Sequence, residues 1–143
     1  MTLPRAFAVT LEHSQSWLND VLDELRTDDR ELAYAVLRGV LHALRDRLPQ
    51  AEVLDLAAQL PMLVRGMFYE GWTLEDRSAA LRSERAFLRY VAACTQRRDV
   101  PAEEAVRAVF AVLSRRVGAG EIKDVMGSLP ETFDELWPPA ALA

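Results

Sequence analysis

The sequence predicts an all-α fold, and three observations support this. Apolar residues recur at spacings of three and four positions along most of the chain, which is the period of one helix face. No segment alternates apolar and polar residues as a half-buried strand does. The seven prolines and six glycines stand mostly between the periodic segments, where such residues begin and end helices. We therefore expect one domain of seven to eight helices.

The first half of the chain carries four of these helices. An apolar stripe over residues 17–25 marks the first helix. Asp28, followed three positions later by a glutamate, has the spacing of a capping box and predicts the start of the second. Pro49 ends the second helix, and a short third helix follows. Pro61 begins the fourth, and Gly71 closes it.

The second half repeats this order after a polar joint at residues 73–78. A long fifth helix comes first, with its own apolar stripe. Pro101 and the acidic residues that follow it predict the start of the sixth, since acidic groups are favoured near the positive end of a helix dipole. A short seventh helix follows Gly118. Pro130 begins the last helix, and Pro138 stops it.

The two halves are also similar in sequence. Residues 36–61 align without a gap with residues 105–130, 69 positions later, and eight of the twenty-six pairs are identical. Chance matching gives roughly two identities at average residue frequencies. We therefore predict two tandem copies, about 11–72 and about 79–138, joined by 73–78 and packed about a pseudo-twofold axis. Neither copy is expected to fold alone, because each would leave an apolar face uncovered.

Four segments of the chain carry a family resemblance. They are Ala33–Leu48, Gln59–Pro61, Arg65–Trp72 and Gly120–Pro130. Together they resemble the bacterial domain-of-unknown-function family 2267, over nearly the whole chain. The resemblance implies an all-helical domain of bacteria, and it implies no particular reaction.

Composition limits the setting in which the protein works. The formal net charge of −5 argues against a general nucleic-acid binder. Cys94 is the only cysteine, so no internal disulfide is expected and a reducing cytoplasm is the simplest location. No stretch approaches the roughly 20 apolar residues that span a bilayer. We expect a cytoplasmic protein without a membrane span.

Catalytic motifs are missing from the sequence. The two histidines stand in no zinc-binding spacing, the serines in no nucleophile elbow, and the glycines in no phosphate loop. Cys94 aligns with a core leucine of the first copy, which favours a buried, inert thiol. We expect no enzyme activity, no cofactor and no bound metal.

Paired carboxylates recur in both copies, three positions apart on one helix face. Four carboxylates that converge across a pseudo-twofold axis are a possible divalent metal site, but helical metal sites usually add a histidine three positions on, and none follows here. The favoured interpretation is a structural clamp, in which arginines of each copy pair with the acids. Its members are Arg38, Arg47, Glu52, Asp55, Arg107, Arg116, Glu121 and Asp124.

Arginines dominate the predicted fifth helix. Between residues 77 and 98 there are six arginines and one acid, and Arg82, Arg85 and Arg89 form one stripe. We call these three arginines the basic ridge; a surface of this kind binds RNA, an anionic membrane surface or an acidic protein in other cases. We favour a solvated face, because exposed charge runs usually serve only solvation.

The two copies differ most in the segment Arg65–Trp72. Its aromatic rings suit a protein interface or a pocket, although they also suit burial at the joint between the copies. The candidate interaction residues are Arg65, Met67, Tyr69, Glu70 and Trp72.

We therefore expect a non-catalytic helical module that binds an unknown protein partner or associates with itself. One alternative is a small-molecule binder or enzyme with a pocket between the copies, lined by aromatic rings and Arg65 or Glu70. The other is a weak binder of nucleic acid or anionic surfaces through the basic ridge; nucleic-acid binding is not the expectation.

Overall fold

The structure is a computed structural model that describes residues 2–143. In this range the chain forms seven α-helices, two short 3-10 helices and no strand, which confirms the all-helical fold class. The α-helices are α1 (Arg5–Leu25), α2 (Arg30–Arg47), α3 (Gln50–Ala57), α4 (Met62–Tyr69), α5 (Glu84–Thr95), α6 (Ala102–Arg116) and α7 (Ala119–Gly127). The 3-10 helices follow at Glu131–Leu136 and Pro139–Leu142.

Prolines and short polar side chains set most helix ends, as the sequence predicts. Pro49, Pro61 and Pro101 each stand immediately before a helix in an extended conformation. The cap of α2 differs from the expectation by one residue, because the side chain of Asp29, not Asp28, accepts a hydrogen bond from the backbone N–H of Leu32 at 3.0 Å. Because α2 starts at Arg30, the residue in the capping position is Asp29, and the N–H three residues further along the chain is that of Leu32.

Helix α5 is shorter than predicted. The hydroxyl of Ser83 accepts a hydrogen bond from the N–H of Ala86 at 3.0 Å and caps the helix, which therefore starts at Glu84. Residues 79–81 form a turn, and Arg82 and Ser83 are not helical. Arg82 consequently lies before the helix and not on a stripe with the two arginines that follow.

The helices pack in a crossed arrangement around α2. Helix α2 contacts α5, α1, α6 and α4, α1 also contacts α6, and α3 contacts α7. The first helix of each half of the chain therefore packs against the second helix of the other half. In the second half of the chain, two pairs of buried aromatic rings pack against each other. The ring centroids are 5.0 Å apart for Phe87 and Phe133 and 4.1 Å apart for Phe110 and Trp137.

Helix bounds recur at the offset seen in the sequence. Helix α2 ends at Arg47 and α6 at Arg116, and α3 begins at Gln50 and α7 at Ala119, in each case 69 positions apart. The first helices differ, since α1 has 21 residues and α5 has 12. The domain bounds given above remain a prediction.

No helix in residues 2–143 combines the length and the apolar character needed to cross a membrane.

Candidate functional site

An apolar groove lies between the N-terminal half of α1, the start of α2 and helix α4. Its volume is about 670 Å³. Six large apolar side chains that line it are exposed to solvent, although residues of this kind are normally buried. They are Leu3, Phe7, Leu11, Tyr34, Met62 and Leu63.

The groove exists because α1 extends beyond the helices it packs against. The buried face of α1 begins only at Trp17, and residues 2–9 are exposed. Phe7 and Leu11 continue the apolar stripe of α1 toward its N-terminus, where no other helix covers it. One hydrogen bond holds this end, since the hydroxyl of Thr10 accepts from the backbone N–H of Leu63 at 3.0 Å. The stripe and α4 thus form the two walls of one open groove.

The interaction surface that the sequence predicts is centred on the C-terminal end of α4. Of the five candidate residues, Met67 and Glu70 line the groove. Tyr69 and Trp72 are half-buried and stack on each other with ring centroids 5.7 Å apart. They pack against the core, and so belong to the joint at the end of α4.

Arg65 has a structural role. Its guanidinium donates to the carbonyl oxygens of Ala57 at 2.9 Å and of Leu60 at 3.0 Å. Ala57 is the last residue of α3, where helical C=O groups lack partners within the helix, and Leu60 lies in the turn that follows. Arg65 therefore fixes α4 to the end of α3 and does not face the groove.

Two buried polar side chains of α2 bind the backbone carbonyls at the C-terminus of α4. Neither of them is among the site residues that the sequence predicts. His42 donates from Nε2 to the carbonyl of Met67 at 2.7 Å. Arg45 donates from Nη1 to the carbonyls of Phe68 at 2.9 Å and Glu70 at 2.8 Å. The sequence contains a signal for the role of Arg45. This arginine directly follows an apolar stretch of α2, and a charged side chain that is buried with such a stretch needs hydrogen-bond partners.

The paired carboxylates meet each other rather than arginines. Carboxylate oxygens of Glu52 on α3 and of Glu121 and Asp124 on α7 lie within 4.8 Å of one another. Burial, followed by repulsion from Glu52, Asp55 and Asp124, raises the pKa of Glu121 to about 7. Burial, followed by repulsion from Asp124 and Asp55, also raises the pKa of Glu52.

The predicted clamp is therefore not formed as expected. Within the described chain, none of its four acids accepts a hydrogen bond or forms an ion pair through its side chain. The packing of α3 on α7 instead brings the carboxylates of Glu52 and Glu121 together. Three of the four arginines pair elsewhere: Arg38 with Glu70, Arg107 with Glu103, and Arg116 with Asp20. The fourth, Arg47, has a buried Nε without a hydrogen-bond partner among residues 2–143.

The basic ridge is exposed. The side chains of Arg82, Arg85 and Arg89 all face solvent. None of the three forms an ion pair in the part of the chain that the structure describes. Because Arg82 precedes α5, only Arg85 and Arg89 share the surface of that helix.

Comparison with known proteins identifies a family and no function. A search of curated proteins gives no match. A family model described as "Uncharacterized conserved protein (DUF2267)" matches residues 14–136, which include every helix from most of α1 to the first 3-10 helix. The chain therefore belongs to the DUF2267 family.

Proposed function

We propose that the protein is a non-catalytic helical interaction module that associates with a second copy of itself through the groove between α1, α2 and α4. One observation carries this proposal. Of the ten large hydrophobic side chains exposed in residues 2–143, six line this single groove. Scattered exposed hydrophobic residues need no explanation, but a contiguous group of them is typical of an interaction surface.

The shape of this surface favours a second copy as the occupant. The stripe of Phe7 and Leu11 forms one wall at the exposed N-terminal end of α1, while Met62 and Leu63 form the opposite wall. A projecting apolar stripe beside an open apolar groove is self-complementary, since two copies related by a twofold axis each insert the stripe into the groove of the other. The contact would cover all of these side chains in one step.

The polar border of the groove suits an interface as well. Thr10, Gln15 and Glu70 stand among the groove residues. An apolar centre with a polar rim is the usual arrangement at protein interfaces. Glu70 is held in place by an ion pair with Arg38 at 3.0 Å, so this side of the rim is ordered before association.

Analytical ultracentrifugation over a range of protein concentrations tests the proposal. We expect a dimer for the wild type and a monomer for the double variant Phe7→Asp/Leu63→Asp. Truncation of a central interface residue costs on the order of 2 kcal/mol, which is about a thirtyfold weaker association. The matched control is Leu74→Asp, because Leu74 is 76% exposed and does not line the groove.

Self-association through this groove would be contradicted by either of two results. One is a wild-type protein that stays monomeric at every concentration. The other is a double variant that remains dimeric while circular dichroism shows the same helix content as in the wild type.

We also propose that the two halves of the domain are tandem copies packed about a pseudo-twofold axis. The repeated helix bounds support this, as does the exchange in which α1 packs on α6 and α5 packs on α2. Residues 1–78 produced alone are expected to lack a cooperative unfolding transition, because α1, α2 and α3 would lose the helices of the second half that they pack against. A monomeric fragment that unfolds cooperatively would contradict this arrangement.

A cytoplasmic location completes the proposal. Cys94 is the only cysteine and is half-buried. Burial, followed by repulsion from Asp46, raises the pKa of its thiol, and a raised pKa disfavours the reactive thiolate. The protein thus needs no oxidising environment for a disulfide, and its cysteine does not have the properties of a nucleophile.

A further inference from the structure

A group of carboxylates lies at the contact between α3 and α7, away from the groove. Glu52 belongs to the first turn of α3 and Glu121 to the first turn of α7. Asp124 follows Glu121 by one helical turn. One carboxylate oxygen of each of the three residues lies within 4.8 Å of the other two. Two helices that are distant in sequence therefore direct like charges at one point.

Glu52 is the residue that requires an explanation. It is only 9% exposed, and its Oε1 is buried without a hydrogen-bond partner in residues 2–143. Glu121 also has a buried carboxylate oxygen, Oε2, without a partner in the same range. Native proteins satisfy almost all buried polar atoms, since an unpaired one costs free energy. Two such oxygens within one cluster of carboxylates indicate that a ligand supplies the missing partner.

Among residues 2–143, no positively charged side chain pairs with these carboxylates. Three of the four arginines that the sequence suggests as partners pair with other acids, and the fourth, Arg47, forms no ion pair with any described residue. Lys123, on the same helix as Glu121, is exposed and forms no ion pair among the described residues. Asp55 adds a further negative charge, because it contributes to the raised pKa of both glutamates. A cation is the ligand that would relieve this repulsion.

We propose that Glu52, Glu121 and Asp124 bind a divalent metal ion that prefers oxygen ligands. The donor atoms define the class of metal: three carboxylates without histidine or cysteine suit Mg²⁺, Mn²⁺ or Ca²⁺ and disfavour Zn²⁺ or Cu⁺. Two oxygens that bind the same ion lie at most about twice a metal–oxygen distance apart, roughly 4.2–5.2 Å. The three carboxylate oxygens, all within 4.8 Å of one another, do not exceed the upper end of this limit.

The position of the site gives the ion a structural role. It would join α3 in the first half of the chain to α7 in the second half, at the point where these two helices pack. Asp124 is exposed, so an ion and its remaining water ligands have access from solvent. Binding to the folded chain alone stabilises it by mass action, and the ion would act as a clamp where the arginines do not.

Binding of Mn²⁺ alone, followed by electron paramagnetic resonance, tests this inference directly. We expect one saturable equivalent per chain with a dissociation constant below about 1 mM. The double variant Glu52→Gln/Glu121→Gln is expected to bind at least about tenfold more weakly, because even second-shell losses cost roughly 10–100-fold in affinity. Glu31→Gln is the matched control, since Glu31 is exposed in the first turn of α2 and lies outside the cluster.

Thermal unfolding provides a second readout that does not depend on the spin of the metal. Mn²⁺, Mg²⁺ or Ca²⁺ should raise the Tm of the wild type and of Glu31→Gln, and not that of the double variant. The double variant is expected to fold, because the amides remove repulsion while keeping the shape. The inference is overturned if the wild type shows no saturable Mn²⁺ binding, or if the double variant binds as tightly as the wild type. It is equally overturned if the metals leave the wild-type Tm unchanged, since the buried carboxylates would then share a proton instead.

Discussion

Gly39 in α2 lies directly against the backbone of Thr95 in α5. A Cβ atom at position 39 would stand 2.7 Å from the Thr95 Cα and 2.8 Å from its backbone nitrogen. Thr95 is buried, and its hydroxyl donates to the carbonyl of Val91 at 2.7 Å. This close approach of two backbones, where α2 crosses α5, requires a residue without a side chain at position 39.

We therefore predict that Gly39→Ala destabilises the protein by about 1–3 kcal/mol, the usual cost of an extra methyl group in a well-packed core. Gly66→Ala is the matched control. Gly66 is also helical, but nothing lies within 4 Å of the position of its Cβ, so the change should stabilise by about 0.5–1 kcal/mol through helix propensity. Urea unfolding measures both. A Gly39→Ala variant at least as stable as the wild type would refute the close packing of α2 on α5.

Arg45 is expected to be among the most sensitive polar residues of the fold. It is 5% exposed, donates to two carbonyls at the end of α4, and pairs with Asp46 at 2.9 Å. Arg45→Met would leave these acceptors unpaired, which we expect to cost about 3–5 kcal/mol. Arg38→Met, on the same helix, removes only an exposed pair with Glu70 and should cost less than about 1 kcal/mol. Equal losses for the two variants in urea unfolding would contradict this assignment.

The basic ridge is expected to be a solvated surface. Arg82, Arg85 and Arg89 are exposed and hold no ion pair in the described part of the chain. Replacing all three by Gln should change the stability by no more than about 0.5 kcal/mol per site. Heparin chromatography near physiological salt should retain neither protein. Retention of the wild type that falls steeply with salt and disappears in the triple variant would instead favour an anion-binding surface.

Local chemistry explains what the sequence predicts well. Pro49, Pro61 and Pro130 each precede a helix, because proline fits the start of a helix and disrupts its interior. Val40 and Leu44, which lie four positions apart on the apolar face of α2, are fully buried, as their helical spacing predicts. These features depend on neighbours within a few positions of the chain, which a single sequence contains.

Features that depend on residues far apart in the chain could not be predicted from the sequence. Phe7 and Leu11 have the same helical spacing as buried residues, and only the extension of α1 past its neighbours leaves them exposed. Glu52 and Glu121 are 69 positions apart, and their approach follows from the packing of α3 on α7. The sequence suggested both a metal site and an arginine clamp there. It contained no information on which groups would lie closest.

His42 makes stability depend on pH in a predictable direction. It is 7% exposed and donates from Nε2 to the Met67 carbonyl. Burial is the main cause that lowers its pKa below 6.5, with Arg45 and Arg38 adding repulsion, while the hydrogen bond to Met67 and the charge of Asp46 act in the opposite direction. The folded state therefore keeps the imidazole neutral at a pH where the unfolded chain already binds a proton.

The contribution of His42 to the free energy of unfolding should consequently fall as the pH drops below about 6.5 toward the lower pKa of the folded state, with a slope of at most about 1.4 kcal/mol per pH unit. Well above pH 6.5 the imidazole is neutral in both states, and its contribution is constant. Urea unfolding at pH 7.5, 6.5 and 5.5 measures the slope. His42→Gln should remove this part of it, whereas His13→Gln, at an exposed position of α1, should keep it. The raised pKa of Glu121 acts in the opposite direction, because the folded state binds this proton more tightly and gains stability as the pH falls. That contribution is the same in all three proteins, so the difference between the variants isolates His42. If His42→Gln keeps the full wild-type slope between pH 6.5 and 5.5, another group is responsible.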